Sequence, residues 1–219
     1  ALPGHTMTAL HEPVTLAGTH VRLELLEPRH QGDLAEAVRD GELWKLWYTS
    51  VPTPEGVAAE IERRRDLHAT GSMLPFAVIA QRGELAGKAV GMTTYMNIDA
   101  LNRRLEIGST WYRRAVQRSA LNTECKRLLL ARAFETLGCI AVEFRTHWFN
   151  QASRRGIERL GAKLDGVLRS HVVNTHPDAA GTLRDTCVYS ILAAEWPAVR
   201  ENLKLRLKLR LAMRGATRC

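Results

Sequence analysis

Polar and apolar positions alternate over residues 20–25, with Val21, Leu23 and Leu25 on one side and Arg22 and Glu24 on the other. A period of two predicts a half-buried strand. Helical segments are predicted next, over about 29–39 and 54–69. In the second, Val57, Ile61 and Leu67 stand among charges, and Pro54 suits a first helical turn. The runs 74–81 (LPFAVIAQ) and 86–96 (AGKAVGMTTYM) are strand-like and meet at Arg82-Gly83, a hairpin signal. Residues 103–112 (RRLEIGSTWY) make a fourth strand. Over 121–137 strong helix formers carry apolar residues at spacings of three and four, and Gly138 stops them. The strand 141–148 (AVEFRTHW) follows, then a short helix opened by Asn150 and ended at Gly161. Residues 163–173 and 183–192 read as an antiparallel pair around a polar loop, and Glu195-Trp196-Pro197 opens a last helix. The order predicts an α/β protein: one mixed, largely antiparallel sheet of about seven strands flanked by helices, with one crossover helix between two strands.

Composition narrows the class. The chain has 219 residues, 45% hydrophobic and 25% charged, enough to build one globular core. No run of 18 apolar residues exists, so no membrane span is expected. The N-terminus lacks a basic segment followed by an apolar run, so no secretory leader is expected, and the six residues before Met7 are set aside as foreign to the domain. Cys125, Cys139, Cys187 and Cys219 show no CxxC spacing, and three of them lie in apolar stretches. That usage argues against a structural metal or a disulfide framework and fits a reducing cytoplasm.

The net charge of +8 suggests nucleic acid until it is located. Residues 203–219 carry six basic residues (Lys204, Arg206, Lys208, Arg210, Arg214, Arg218) and no acidic one. Residues 1–102 are net −4, residues 103–163 net +8 and residues 164–202 net −2. Two separate basic features are not the footprint of a uniformly basic nucleic-acid protein. They also suggest boundaries: an extension over 1–12, a body over 13–202 and a basic tail over 203–219. The tail alternates at period two from Leu203 to Leu211, yet Leu203, Leu207 and Leu211 align on a helix. It continues the last helix, so a frayed helix end is expected.

Chemistry concentrates in the central basic block. Between strand 103–112 and helix 121–137 runs the loop Arg113-Arg114-Ala115-Val116-Gln117-Arg118-Ser119-Ala120. A helix start leaves unpaired N–H groups and positive potential, and small residues let an anion approach them. The loop reads either as a pyrophosphate cradle or as a capping loop with solvated arginines.

Glu106-Ile107-Gly108-x-x-Trp111 followed by Gln117-x-x-Ala120-x-Asn122-Thr123-Glu124-x-Lys126 resembles the acyl-CoA signature of the Gcn5-related N-acetyltransferases. The branch that acetylates ribosomal-protein amino termini, RimJ/RimL-like, is the most similar. The resemblance extends through Phe144-Arg145-Thr146, Asn150-x-x-Ser153-Arg154, Ile157-x-x-Leu160-Gly161-Ala162, Gly166-x-Leu168-Arg169 and Arg184-Asp185-x-x-x-Tyr189-Ser190-Ile191-Leu192, to Glu195-Trp196-Pro197. It covers roughly residues 13–202. One position departs from the pattern: Ala120 stands where the family loop often keeps glycine, which requires a backbone there that is not at positive φ.

The resemblance implies a sheet with splayed central strands, acetyl-CoA as cofactor, and transfer to an amine or a peptide N-terminus. It places the pyrophosphate on the amides of Arg118, Ser119, Ala120, Leu121, Asn122 and Thr123, with Gln117 beside them. The pantetheine arm then lies between strands 103–112 and 141–148, by Gly108, Ser109, Trp111, Asn150 and Arg154, and Gly108 fits a bulge. Glu106 is the candidate base, against a salt bridge with Arg103 or Arg104. Ser153 is the candidate acid for the leaving thiolate, against a plain first-turn serine. Asn150 also suits a helix N-cap. His147 and His171 lie near strand ends by the site, whereas His68 and His176 are read as solvent-facing. Trp44, Trp47 and Tyr48 either wall the acceptor site or pack the early helices, and Trp148 and Phe149 read as core or pocket wall.

Three readings remain open at this point: an N-acetyltransferase, a non-catalytic acyl-CoA-binding protein of the same fold, and a ribosome- or nucleic-acid-associated module using the tail. No membrane partner is expected, nucleic acid is disfavoured, and the resemblance favours a homodimer.

Overall fold

A computed structural model describes residues 10–216 of the chain. The reading of residues 1–6 as foreign, and the tail residues Arg218 and Cys219, lie outside the described residues. Eight strands form one sheet: β1 (Leu16–Ala17), β2 (Val21–Leu25), β3 (Met73–Ala80), β4 (Ala89–Asp99), β5 (Arg104–Tyr112), β6 (Ala141–His147), β7 (Lys163–Val173) and β8 (Leu183–Leu192). Their order is β1-β2-β3-β4-β5-β6-β8-β7, and every pairing is antiparallel except β5 with β6. The helices are α1 (Gln31–Arg39), α2 (Val57–Ala69), α3 (Ala120–Ala131), α4 (Gln151–Glu158) and α5 (Trp196–Ala216). The parallel pair needs a crossover, and α3 supplies it.

Alternation along the strands divides the core in two. Phe76, Val78, Tyr95, Leu105, Ile107, Val142 and Phe144 face the side covered by α3 and α5. Ala77, Ile79, Met92 and Trp111 face α1 and α2. Glu106 and Gly108 alternate with Leu105 and Ile107, so they share the α1/α2 face. α3 is tied to the first hairpin by Glu124, whose carboxylate accepts the amides of Thr19, His20 and Val21. Gly18 makes room for it, since a Cβ there would stand 2.5 Å from the carboxyl carbon.

Three expectations need correction. An eighth strand, β1, escapes periodicity because it is two residues long. Pro54 lies in the turn before α2, not within its first turn. The 121–137 helix is α-helical only to Ala131, then widens into a π-turn over Arg132–Thr136 before Gly138, at φ +64°, ends it. As expected, the last helix continues into the tail: α5 runs through 203, and Leu203 is fully buried with Trp196 and Val199. Among the described residues no helix is long and apolar enough to cross a membrane.

Candidate active site

The parallel pair β5–β6 opens after three residues. Arg104 pairs with Ala141, Leu105 with Val142 and Glu106 with Glu143; β5 then runs on to Tyr112 and β6 to His147 with no ladder between them. The cause lies on the other side of β5. Its register with β4 passes from Thr94↔Gly108 to Met92↔Trp111, so Ser109 and Thr110 together oppose Thr93. Such a bulge raises the local twist and bends the strand away from its neighbour. The bulge falls one residue beyond Gly108: the left-handed residue is Ser109, at φ +47°.

Gly108 is required for another reason. A Cβ there would meet Met96 Sδ at 2.7 Å and Glu106 Oε1 at 2.8 Å. Gly108→Ala is therefore expected to push the Glu106 carboxylate aside. Where a displaced carboxylate takes part in a reaction, a misplacement of about 1 Å costs up to about 100-fold in rate. Met96 is flexible enough to absorb the rest of the clash, so stability falls by only about 1–3 kcal/mol. Turnover and urea unfolding of the variant check both figures.

The α3 start combines backbone donors with positive charge. Asp40 accepts from the Arg113 guanidinium (3.1 Å) and the Ala115 amide (2.9 Å), which fixes the loop entry. The Gln117 side chain donates to the Tyr112 carbonyl at 2.9 Å, so it shapes the loop. Arg118 is left-handed, at φ +58°, and its side chain is exposed. Ser119 caps the helix, accepting from the Leu121 amide at 3.2 Å and donating to the Val116 carbonyl at 2.6 Å. Ala120 is the first helical residue, so the requirement on its backbone is met. Helix geometry leaves the amides of Ser119, Ala120 and Asn122 without intrahelical acceptors, while that of Thr123 lies one step inside. The Asn122 side-chain oxygen is buried without a partner. Sequence reasoning missed a contact here: Arg210 of α5 donates to the Arg118 carbonyl. Its signal was the spacing of Leu203, Arg206, Leu207 and Arg210, which puts these residues on one helical flank.

Glu106 is 5% exposed. Its Oε2 accepts from Asn97 Nδ2 at 2.7 Å and lies 3.6 Å from Arg145 Nε. Burial lifts its pKa above the ordinary carboxylate value, against the Asn97 hydrogen bond and the Arg145 charge. The expected alternative partners are wrong. Arg104 pairs with Glu143 at 2.7 Å, and Arg145 spans Glu143 and Glu106. A buried carboxylate held by one amide donor, at the point where the strands part, can take up a proton.

Beyond β6, Asn150 is the N-cap of α4; its oxygen accepts from the Ser153 amide at 3.0 Å. Ser153 is half-buried in the first turn. Arg154 donates to Tyr189 Oη at 3.1 Å, and its guanidinium lies 4.3 Å from the Trp148 ring centre. Trp148 and Phe149 are 39% and 59% exposed, so neither belongs to the core. Trp111 packs into the α1/α2 core, with its indole N–H buried and without a hydrogen-bond partner.

The histidines divide differently from the sequence reading. His147 is 3% exposed, and burial together with Arg184 holds its pKa below the ordinary value. Its Nδ1 accepts from the Phe149 amide, so the ring proton sits on Nε2. Rings of Trp47, Tyr48 and Phe149 surround it at 5.0–6.3 Å, which puts Trp47 and Tyr48 at the β6 end of the gap. Trp44 packs against the α1/α2 core. His176 is not solvent-facing: its Nε2 contacts the Trp44 carbonyl at 3.0 Å and closes the β7–β8 loop onto the α1–α2 loop. His68 likewise contacts the His11 carbonyl at 2.9 Å. His171 is exposed and touches Thr186.

Comparison with known proteins agrees with this geometry. A family model described as "Acetyltransferase (GNAT) domain" matches residues 20–163. A GCN5-related N-acetyltransferase from Brucella melitensis is 32% identical with a TM-score of 0.75, over 90% of this chain and 86% of that one. The Bacillus subtilis protein named "Putative ribosomal N-acetyltransferase YdaF" is 28% identical over 184 residues, 81% of this chain and 93% of that protein. Mycobacterium smegmatis RimJ, solved in complex with CoA-disulfide, shares the fold at 19% identity and a TM-score of 0.69, over 89% of this chain and 93% of that one.

Proposed function

Because this chain belongs to the acetyltransferase (GNAT) family and is an N-acetyltransferase, we propose that it draws its acetyl group from acetyl-CoA. We propose as its acceptor a primary amine at the amino terminus of a protein or peptide. The observation that carries the donor assignment is the gap between β5 and β6 beside the capped start of α3. A long amide-bearing arm with a pyrophosphate at one end needs unpaired strand edges and a cluster of free amides, and those two features adjoin here. When bound, acetyl-CoA supplies an acyl group activated as a thioester. The acceptor class rests on the names of the relatives, which include ribosomal N-acetyltransferases.

In this reading each residue has one task. Glu106 takes the proton of the attacking ammonium, directly or through one water. Amides of the β5 bulge receive the negative charge that develops on the carbonyl oxygen. Ser153 returns a proton to the departing sulfur. Asn150 orders the first turn of α4 through its oxygen, which leaves its amide NH₂ for the pantetheine arm. His147 carries its proton on Nε2 and so is not the base.

Two measurements test the assignment in sequence. Acetyl-CoA at about 100 times its Kd contributes roughly 2.7 kcal/mol, which for a chain of this size raises Tm by about 5–10 °C. Thiol release is then expected with peptides bearing a free amino terminus and absent with the same peptides N-acetylated. No thermal shift removes the donor. Release with small amines but with no peptide replaces the acceptor class.

A further inference from the structure

Two buried cations on opposite faces of the sheet converge on the β5 bulge. From α2, Arg64 is 1% exposed; its Nη2 donates to the Ser109 carbonyl at 3.0 Å and its Nη1 to Thr94 Oγ1 at 2.7 Å. Glu60 holds the same guanidinium at 2.6 Å. From α3, Lys126 is 7% exposed, and its Nζ donates to Thr110 Oγ1 at 2.9 Å and Thr93 Oγ1 at 3.4 Å. The Thr110 hydroxyl in turn donates to the Gly108 carbonyl at 3.2 Å. Among the described residues Lys126 has no carboxylate within ion-pair distance, and the side chains it reaches are hydroxyls.

We infer that Arg64 and Lys126 are positioning residues that clamp the Gly108–Thr110 bulge, fixing its peptide planes so that its amides, not its carbonyls, are presented for acyl transfer. The peptide bond is planar and trans, so each N–H points opposite the carbonyl it shares a plane with. Arg64 pins the Ser109 carbonyl and thereby the Thr110 amide. Lys126, through the Thr110 hydroxyl, pins the Gly108 carbonyl and thereby the Ser109 amide. A left-handed serine is unfavourable and persists only where its surroundings over-determine it. These contacts supply that determination from both faces. The cost is borne by Lys126, a buried charge without a counter-charge, which is unfavourable for stability. A group that weakens the fold while holding a strand in strained geometry fits a functional role better than a structural one.

The inference rests on the proposed acetyl-transfer reading, and its test separates the two. The variants are Lys126→Met, which keeps the volume and removes the charge, and Thr110→Val, which removes the hydroxyl alone. Both are expected to fold, Lys126→Met with Tm equal to or above the parent's and Thr110→Val, which takes the nearer acceptor from the buried Lys126 ammonium, with a lower one, and both to bind free CoA within 3-fold by calorimetry. Amide hydrogen exchange across residues 107–112 is expected to quicken at least 10-fold. The kcat for thiol release is expected to fall about 100- to 1,000-fold with KM for acetyl-CoA nearly unchanged, the range for losing an oriented oxyanion donor. Arg64→Lys is the third variant; if it fails to fold, the other two decide. Exchange unchanged in folded Lys126→Met overturns the clamp whatever the rate. Faster exchange with turnover within 3-fold of the parent overturns its role in transfer. If the parent itself releases no thiol with any acceptor, the acetyl-transfer reading fails, and the exchange measurement still decides the clamp.

Discussion

Glu106→Gln is expected to lower kcat by about 10²–10⁴-fold, the range for removing a positioned general base, while the Kd for CoA stays within about 3-fold. The substitution is nearly isosteric, and Asn97 keeps an oxygen to donate to. Burial already disfavours the ionised carboxylate, so a neutral amide there costs little stability. The pH profile gives a second readout. The base form is the carboxylate, so kcat/KM of the parent falls as pH drops through a pKa raised above 4.5. In the variant that limb disappears. Stability changes with the opposite sign. A carboxyl with a raised folded pKa binds more protons folded than unfolded, so its contribution is fully present below the unfolded pKa and is lost as pH rises through the folded one. Glu106→Gln should therefore flatten an acid-side gain in stability as it removes an acid-side loss in rate. Retention of the parent's rate and acid limb would remove Glu106 as base.

What the chain discloses by pattern is the sheet and the order of its parts. Alternation in 20–25 and the apolar runs of β3 to β6 and of β8 are local signals, because burial of one or both faces is written into neighbouring residues. The parting of β5 from β6 was expected only from family resemblance, since no local signal marks where two strands cease to pair. Gly108 was the natural place for a bulge by residue type, yet the left-handed residue of the bulge is Ser109, and that of the loop before α3 is Arg118, the two held by contacts from α2 and α5 respectively. In the sequence Arg64 is one of three consecutive arginines on a charged helix, and Lys126 an ordinary helix former. Their burial depends on partners 16 to 45 residues away, which pattern does not reach. The same distance hid the His176–Trp44 contact, 132 residues apart, and the packing of a helix end that alternates Leu with Lys or Arg. Leu203 sits in the core, and Arg210 reaches the loop before α3. The charge that raised the question of nucleic acid is therefore partly folded back onto the central basic block.

That block yields the other large effect. Ser119→Asp is expected to raise the Kd for CoA at least 100-fold while leaving Tm nearly unchanged. The separation of the two effects follows from one piece of geometry. Ser119 is the N-cap of α3, and its oxygen accepts from the Leu121 amide at 3.2 Å. Aspartate caps as well as serine, and its charge at a helix start is favourable by about 0.3–1 kcal/mol. The carboxylate loses the hydroxyl's bond to the Val116 carbonyl, so for the fold alone the gain and the loss nearly offset. For a phosphate the same carboxylate takes the amides and positive potential that would have received it, and sets a like charge beside it. A loss of about 2.8 kcal/mol is a 100-fold weaker Kd, within reach of two charges in contact at a partly buried site. Ser119→Ala is the control: it costs about 1 kcal/mol of stability through the lost cap but adds no repulsion, so CoA binding should change by less than 3-fold. A destabilised Ser119→Asp with unaltered CoA affinity would mean the loop is only a cap, and the pyrophosphate would have to be sought elsewhere on the protein.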